Sequence, residues 1–254
     1  MLSRSRRPSV HASKAAHWSR MLQLVAEWPA KGVEPSIFML NRVLASLKDA
    51  GQGSLAHEFL ATFPTRRLRA DIVSYNTVCS ALERSSLWQK ALENMAECMA
   101  YGHAMSVISF NILLSCLRRG SSWEASLLLL EASKELCTTA PDGTSYGTAI
   151  QSCAEKAQWT QALRLLALLP TCTRRERLVA ITAALTACTA GSRWSLGLAL
   201  CLALWHGAQD QALLGATVAA CAMGRAWQLA LAVWDEHGGN EVVCRSVIAA
   251  CHWA

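Results

Sequence analysis

The chain has 254 residues, 52% hydrophobic and only 17% charged, a composition that excludes a disordered protein and a length that can bury a sizeable core. Its formal charge of +6 is unevenly placed: residues 1–70 hold 11 Lys/Arg against 4 Asp/Glu, whereas residues 71–254 hold 13 against 14. The basic end is the N-terminal one, so overall basicity says little about the body of the protein.

Residues 1–26 contain Arg4, Arg6, Arg7, Lys14, Arg20, five serines and no acid. That is the composition of a mitochondrial or plastid transit peptide. It equally suits a frayed first repeat whose helix has decayed, or an incomplete N-terminus. Residues 1–15 are set apart as this basic segment and 16–254 as a repeat array.

From Trp18 onward one register runs through the chain. Trp18, Trp88, Trp123, Trp159, Trp194 and Trp227 are separated by 70, 35, 36, 35 and 33 residues, and the slot missing from the first interval is Gly53. Counted in that phase, the units are 2–36, 37–71, 72–106, 107–142, 143–177, 178–210 and 211–240, with a half repeat at 241–254. A small residue follows the Trp slot by three positions, at Ala56, Ala91, Ser126, Ala162, Gly197 and Ala230, where it lets neighbouring helices approach. Pro29, Pro64 and Pro170 share unit position 28, where proline ends a second helix. Ser121-x-x-Glu124 reads as a capping box opening another.

Within the unit 72–106, Tyr75, Val78, Cys79 and Leu82 fall at i, i+3, i+4 and i+7, the apolar face of a first helix. Trp88, Ala91, Leu92, Met95 and Met99 repeat that spacing in a second, after a polar break with a helix cap at Arg84-Ser85-Ser86. Two such helices cannot bury both apolar faces alone, so repeats must stack. The predicted fold is all-α, an α-solenoid of helix-turn-helix repeats of about 35 residues.

The cysteines agree with this. There are 11, yet no Cys-x-x-Cys pair. Cys153, Cys188, Cys221 and Cys251 recur on apolar faces, as small core thiols rather than as zinc ligands, the lesser alternative. The longest apolar run, Leu196–Trp205, falls short of the ~18 residues of a membrane span.

A tetratricopeptide repeat would also pair helices. The finer pattern differs, however: first helices open with Val73-Ser74-Tyr75-Asn76-Thr77, Ile108-Ser109-Phe110-Asn111 and Thr144-Ser145-Tyr146-Gly147. Unit ends read Lys31-Gly32-Val33-Glu34-Pro35-Ser36 and Ala140-Pro141-Asp142. This pattern resembles the pentatricopeptide repeat family over about residues 16–252, most sharply over 30–170.

The resemblance implies an array wound as a right-handed superhelix, and a single-stranded RNA-binding protein of organelles that reads one nucleotide per repeat. Bases would be read by the fifth residue of a unit with its last, and the second residue would wedge between bases. Carried over, Asn41 with Asp71 favours U, Asn76 with Ser106 favours C or U, Asn111 with Asp142 favours U, and Thr182 with Asp210 favours G. The wedges are Phe38, Val73, Ile108 and Val179. Units 143–177 and 211–240 depart from the pattern, with Gly147 and Arg177 in one and Gly215 and Asn240 in the other.

Physically, an amide offers a base edge both a donor and an acceptor. An Asn near a helix start is also commonly a cap or turn residue. Arg84, Arg118 and Arg119, at first-helix ends, are candidates for phosphate contact. The helix macrodipole alone also accounts for basic residues there.

Other motifs fail. Gly51-Gln-Gly53-Ser-Leu-Ala56 matches a dinucleotide-binding string but follows no strand. His57-Glu58 starts a zinc-protease motif whose second His is replaced by Ala61. The zinc-deaminase signature is absent, and no catalytic constellation emerges. The expectation is a non-enzymatic RNA-binding adaptor without cofactor or metal, partnered by RNA and an RNA-processing enzyme. The rival from another class is a protein-interaction solenoid.

Overall fold

In the computed structural model, residues 10–27, 36–64, 68–136, 140–204, 211–224, 226–237, 244–245 and 247–248 are described, and the regular elements among them are all α-helices. The chain forms two compact units, Met1–Gly120 and Ser121–Ala254. The first holds α1 (Val10–Glu27), α2 (Ile37–Asp49), α3 (Gly53–Ala61), α4 (Ile72–Arg84), α5 (Trp88–Ala100) and α6 (Val107–Arg119). The second holds α7 (Trp123–Glu131), α8 (Ser133–Leu136), α9 (Gly143–Glu155), α10 (Trp159–Ala167), α11 (Arg174–Ala190), α12 (Trp194–Leu204), α13 (Gln211–Met223) and α14 (Trp227–His237).

First helices start where a short polar side chain caps them. Ser36, Asp71, Ser106 and Asp142 each accept the amide of the residue three further on, at 3.3, 2.7, 3.2 and 2.8 Å. Asp71 and Asp142 form full capping boxes with Ser74 and Ser145. Such a cap is worth about 0.5–2 kcal/mol. The last residue of each of these units is therefore the N-cap of the next first helix.

The turn into each second helix is a repeated left-handed bend. Gly51, Ser86, Ser121, Ala157 and Ser192 have φ of 70, 56, 59, 55 and 57°. The amide after the bend reaches back five residues, as in Leu87 to the Leu82 carbonyl at 3.1 Å and Gln158 to Cys153 at 2.9 Å. This is a Schellman termination, which satisfies carbonyls the helix leaves open. It corrects the capping box expected at Ser121: that residue is the left-handed bend itself, and Ser122, the N-cap of α7, makes no side-chain cap bond. Likewise Ser85 is the C-cap of α4, and Leu87 precedes α5 without a side-chain cap.

Apolar spacing then decides which face is buried. In α2, Leu40, Val43, Leu44 and Leu47 are buried, as are Tyr75, Val78, Cys79 and Leu82 in α4. Each such aliphatic side chain contributes about 1.5–3 kcal/mol. The small residues Ala56, Ala91, Ser126, Ala162, Gly197 and Ala230 are all buried. A Cβ on Gly197 would stand 3.4 Å from the Cys188 Cβ, ordinary contact between the two helices of one hairpin. Cys153, Cys188 and Cys221 are buried and free; Cys251 lies outside the described residues.

The helices α3 and α10 end at Ala61 and Ala167, ahead of Pro64 and Pro170. Proline alone does not set this length: α7, with Lys134 at unit position 28, also spans nine residues, whereas α5 continues to Ala100. Pro29 lies outside the described residues.

Tryptophan opens α5, α7, α10, α12 and α14. Trp18 instead lies inside the single 18-residue helix α1, which begins within the basic N-terminal segment. Within each unit a Trp lies against a bare glycine of the next turn. A Cβ on Gly120 would come within 2.1 Å of Trp88, one on Gly191 within 2.5 Å of Trp159, and one on Gly224 within 2.2 Å of Trp194. Where Gly53 replaces Trp, the partner turn carries Ser85 instead, whose Oγ accepts the Gly53 amide at 3.1 Å. Arg193 completes the Trp159 site by lying over its ring at 5.5 Å, a cation–π contact.

The helix α11 departs from the common length. It ends at Ala190, as the 35-residue phase requires, but starts at Arg174 with Thr173 as N-cap, so the boundary counted between 177 and 178 falls inside it.

Candidate nucleic-acid interface

In α2, α4 and α6 the second and fifth residues stand one turn apart on one face. The second-position residues are apolar and turned to solvent: Phe38 is 69% exposed, Val73 55% and Ile108 69%, while in the second unit Val179 is 43% exposed. Burial cannot explain aromatic and β-branched side chains held there. The fifth-position residues Asn41, Asn76 and Asn111 are half-buried beside them.

The best-defined group joins Asn41, Asp71 and Ser74. Asn41 Nδ2 donates to Asp71 Oδ1 at 3.3 Å, and Ser74 Oγ lies 2.6 Å from Asn41 Oδ1 and 2.7 Å from Asp71 Oδ1. Among the described residues, Asn41 Nδ2 and the Ser74 amide and hydroxyl all bond the same oxygen of Asp71, Oδ1. Burial raises the Asp71 pKa, but the Ser74 side-chain and amide bonds and the Asn41 bond outweigh it and hold the carboxyl below its ordinary value. The result is an oriented amide beside a charged carboxylate. Ser74 is the member that sequence reasoning missed, although Ser74, Ser109 and Ser145 recur in the quoted helix openings.

The next slot is built differently. Ser106 Oγ pairs with Ser109 Oγ at 3.0 Å, and Asn76 Oδ1 is buried with no hydrogen-bond partner among the described residues. Asn111 lies in α6 of the first unit, and Asp142 caps α9 in the second. Thr182 lies deep within the lengthened α11, its hydroxyl donating to the Leu178 carbonyl, and Asp210 is outside the described residues.

The arginine candidates have structural partners. Arg84 donates to the Lys48 and Asp49 carbonyls at the end of α2, at 3.2 and 3.4 Å. Arg119 pairs with Glu83 at 3.0 Å. Arg118 is half-buried in the last turn of α6. For Arg84, helix-end capping is thus the observed contact.

Among the described residues no group of three or more His, Cys, Asp or Glu could hold a metal ion. No described helix is long and apolar enough to cross a membrane.

Stacked helix hairpins with this spacing define an α-solenoid, and its fold is that of pentatricopeptide repeat proteins. The crystal structure of the pentatricopeptide repeat protein PPR10 from maize matches with a TM-score of 0.69 and 22% identity, over 93% of this chain and 35% of that one. PPR10 in complex with an 18-nt psaJ RNA element matches with a TM-score of 0.73 and 14% identity, over 97% of this chain and 38% of that one. The chain therefore spans little more than a third of the length of these proteins. No protein-family model and no curated protein sequence matches it.

Proposed function

We infer that the protein is a single-stranded RNA-binding member of the pentatricopeptide repeat class, without chemistry of its own. The observation carrying this reading is the row of exposed second-position side chains, Phe38, Val73 and Ile108, each one turn from a fifth-position Asn. A flat apolar group beside a polar amide is what a splayed base requires, one for its face and one for its edge. The RNA-bound structural relative supports the same use of the fold. In this reading Asn41 with Asp71 favours U and Asn76 with Ser106 favours C or U. Thr182 with Asp210 favours G, and Val179 is a further wedge. The adaptor serves RNA processing, stability or translation in a mitochondrion or plastid, with an RNA-processing enzyme as its partner.

A second reading, a scaffold for a protein partner, draws on the near-neutral charge of residues 71–254 and on the structural engagement of Arg84 and Arg119. Incubating the purified chain with a pool of short single-stranded RNAs at two salt concentrations separates the two. The RNA reading expects pyrimidine-rich enrichment and an affinity that falls with salt. Exchanging Asn76→Thr should shift one nucleotide toward purine. If the chain retains no RNA at low salt, the RNA reading fails, and a defined protein recovered by pull-down would favour the scaffold.

A further inference from the structure

The additional turn of α11 carries charge that the fold does not use. Thr173 Oγ1 caps the Glu176 amide at 3.3 Å, and the Glu176 carboxylate accepts the Thr173 amide at 2.9 Å and the Thr144 hydroxyl at 3.1 Å. Gly143 leaves room for this turn, since a Cβ there would stand 2.7 Å from the Cys172 Cβ and 3.0 Å from Glu176 Oε2. The cap is complete, yet Arg174, Arg175 and Arg177 flank Glu176 in the same turn, all three exposed. None of their side chains makes a hydrogen bond, ion pair or ring contact with another described residue.

Cations in a first turn oppose the helix dipole, so the three arginines weaken this end of α11. Their placement asks for a ligand. Thr144 is the second residue of its unit, the position filled by Phe38, Val73 and Ile108 in the first unit. Its bond to Glu176 puts the arginine turn on the exposed second-position face of α9. The fifth residue of the same unit is Gly147, where a Cβ would meet nothing within 4 Å. Gly147 itself is buried, so this unit presents no side chain at its fifth position to read a base.

We propose that Arg174, Arg175 and Arg177 form a phosphate clamp, holding the phosphodiester backbone of a single-stranded RNA where unit 143–177 lacks a base-reading side chain. The proposal rests on the RNA-binding reading above. Guanidinium forks match phosphate oxygens in pairs and carry no sequence information, so the clamp positions the strand without selecting it. The acids nearest the cluster, Glu176 and Asp142, are engaged in helix caps and are outnumbered by the arginines.

The test compares the full chain with its R174Q/R175Q/R177Q variant, using a fluorescent RNA enriched by the wild type. Loss of three phosphate contacts should flatten the log–log dependence of affinity on salt by about 2, at about 0.7 per contact for single strands. The ranking of base substitutions in the RNA should not change. The variant should melt no lower than the wild type, because Gln removes unfavourable charge from a helix start. A K90Q/K156Q/R164Q variant removes equal charge elsewhere and should leave most of the slope intact. A slope unchanged, or reduced no more than in that control, overturns the clamp while leaving RNA binding standing. Absence of RNA binding by the wild type overturns both. Unchanged RNA affinity together with lost binding to polyglutamate would overturn the clamp in favour of an acidic protein partner.

Discussion

Trp88 lies against the bare Cα of Gly120: a Cβ on that glycine would come within 2.1 Å of the indole Cδ1. The backbone of Gly120 is ordinary, with φ −77°, so close approach and not a left-handed conformation selects glycine here. Gly120→Ala must displace Trp88 at its Cβ, Cγ and Cδ1, close to the backbone where the side chain has little freedom to move, and the expected loss is about 1–3 kcal/mol of unfolding free energy. In a Trp88→Leu background the same change should cost much less, because the clash is gone. Urea unfolding of the four members of this double-mutant cycle measures the coupling. Additive losses would show that the ring moves aside freely.

The fold was legible because its markers act locally. The small residue three positions after the Trp slot reports a contact within one hairpin, and its repetition together with Trp and proline made the phase plain. The matching glycines were not legible. Gly120 and Gly191 answer a Trp 32 residues earlier in the chain, and nothing local to them announces it. Ser121-x-x-Glu124 misled because serine suits both a helix cap and the left-handed bend it occupies. At α11 a true capping string, Thr173-x-x-Glu176, was present, but counting by 35 placed the boundary four residues later. In the candidate site, the Asn and Asp positions followed from the family resemblance. Ser74 did not, because its bond to Asn41 joins residues 33 apart.

The repeated bend offers a test free of side-chain packing. Ser86 is held at φ 56°, a conformation that costs an L-residue about 1–2 kcal/mol and glycine almost nothing. Ser86→Gly should therefore raise stability by about 1 kcal/mol, less some gain in unfolded-state entropy. Gly51 occupies the same bend at φ 70° with open space around it, so Gly51→Ala should lose a similar amount. Thermal melts of both variants check the pair. The same sign for both would rule out backbone strain as the cause.

Acid should unfasten the Asp71 cap of α4. Burial acts to raise the Asp71 carboxyl, but hydrogen bonds from Ser74 and Asn41 outweigh it, so folding holds the group below its ordinary carboxylate value. A carboxyl depressed in the folded state adds stability that is fully present above its unfolded value and is lost as pH falls through the folded one. Stability from this group is thus intact at neutral pH and is lost progressively below about pH 4. In Asp71→Asn the cap persists without the titration, so the difference in urea midpoint between neutral and acid pH should narrow. An unchanged acid limb would remove Asp71 from the account.

The buried thiols should resist alkylation. Burial pushes Cys79 up to about 12, and Cys98 and Cys153 to about 11, with Cys116 and Cys188 also raised. At mildly alkaline pH they have almost no thiolate and no solvent path. Brief iodoacetamide treatment of the native chain, mapped by mass spectrometry, should label Cys172, which is half-exposed, ahead of these five. Early labelling of Cys79 would mean that α4 and α5 separate readily.

Ser74 should control how Asn41 meets a base. With Nδ2 donating to Asp71 and Oδ1 2.6 Å from the Ser74 hydroxyl, the amide is held in one orientation. Ser74→Ala removes that hydroxyl and its bonds to both neighbours, at a cost of about 1 kcal/mol in stability. It also frees the amide to rotate, so both edges become available to a base. The expected result is RNA affinity reduced by a few fold and a weaker preference for U at the nucleotide facing unit 37–71. Preferences at other nucleotides should hold, and Ser74→Thr should restore selectivity because it keeps the hydroxyl. Binding arrays with each base substituted in turn read this directly. Equal loss of affinity at every nucleotide would instead make Ser74 a cap of α4 and nothing more.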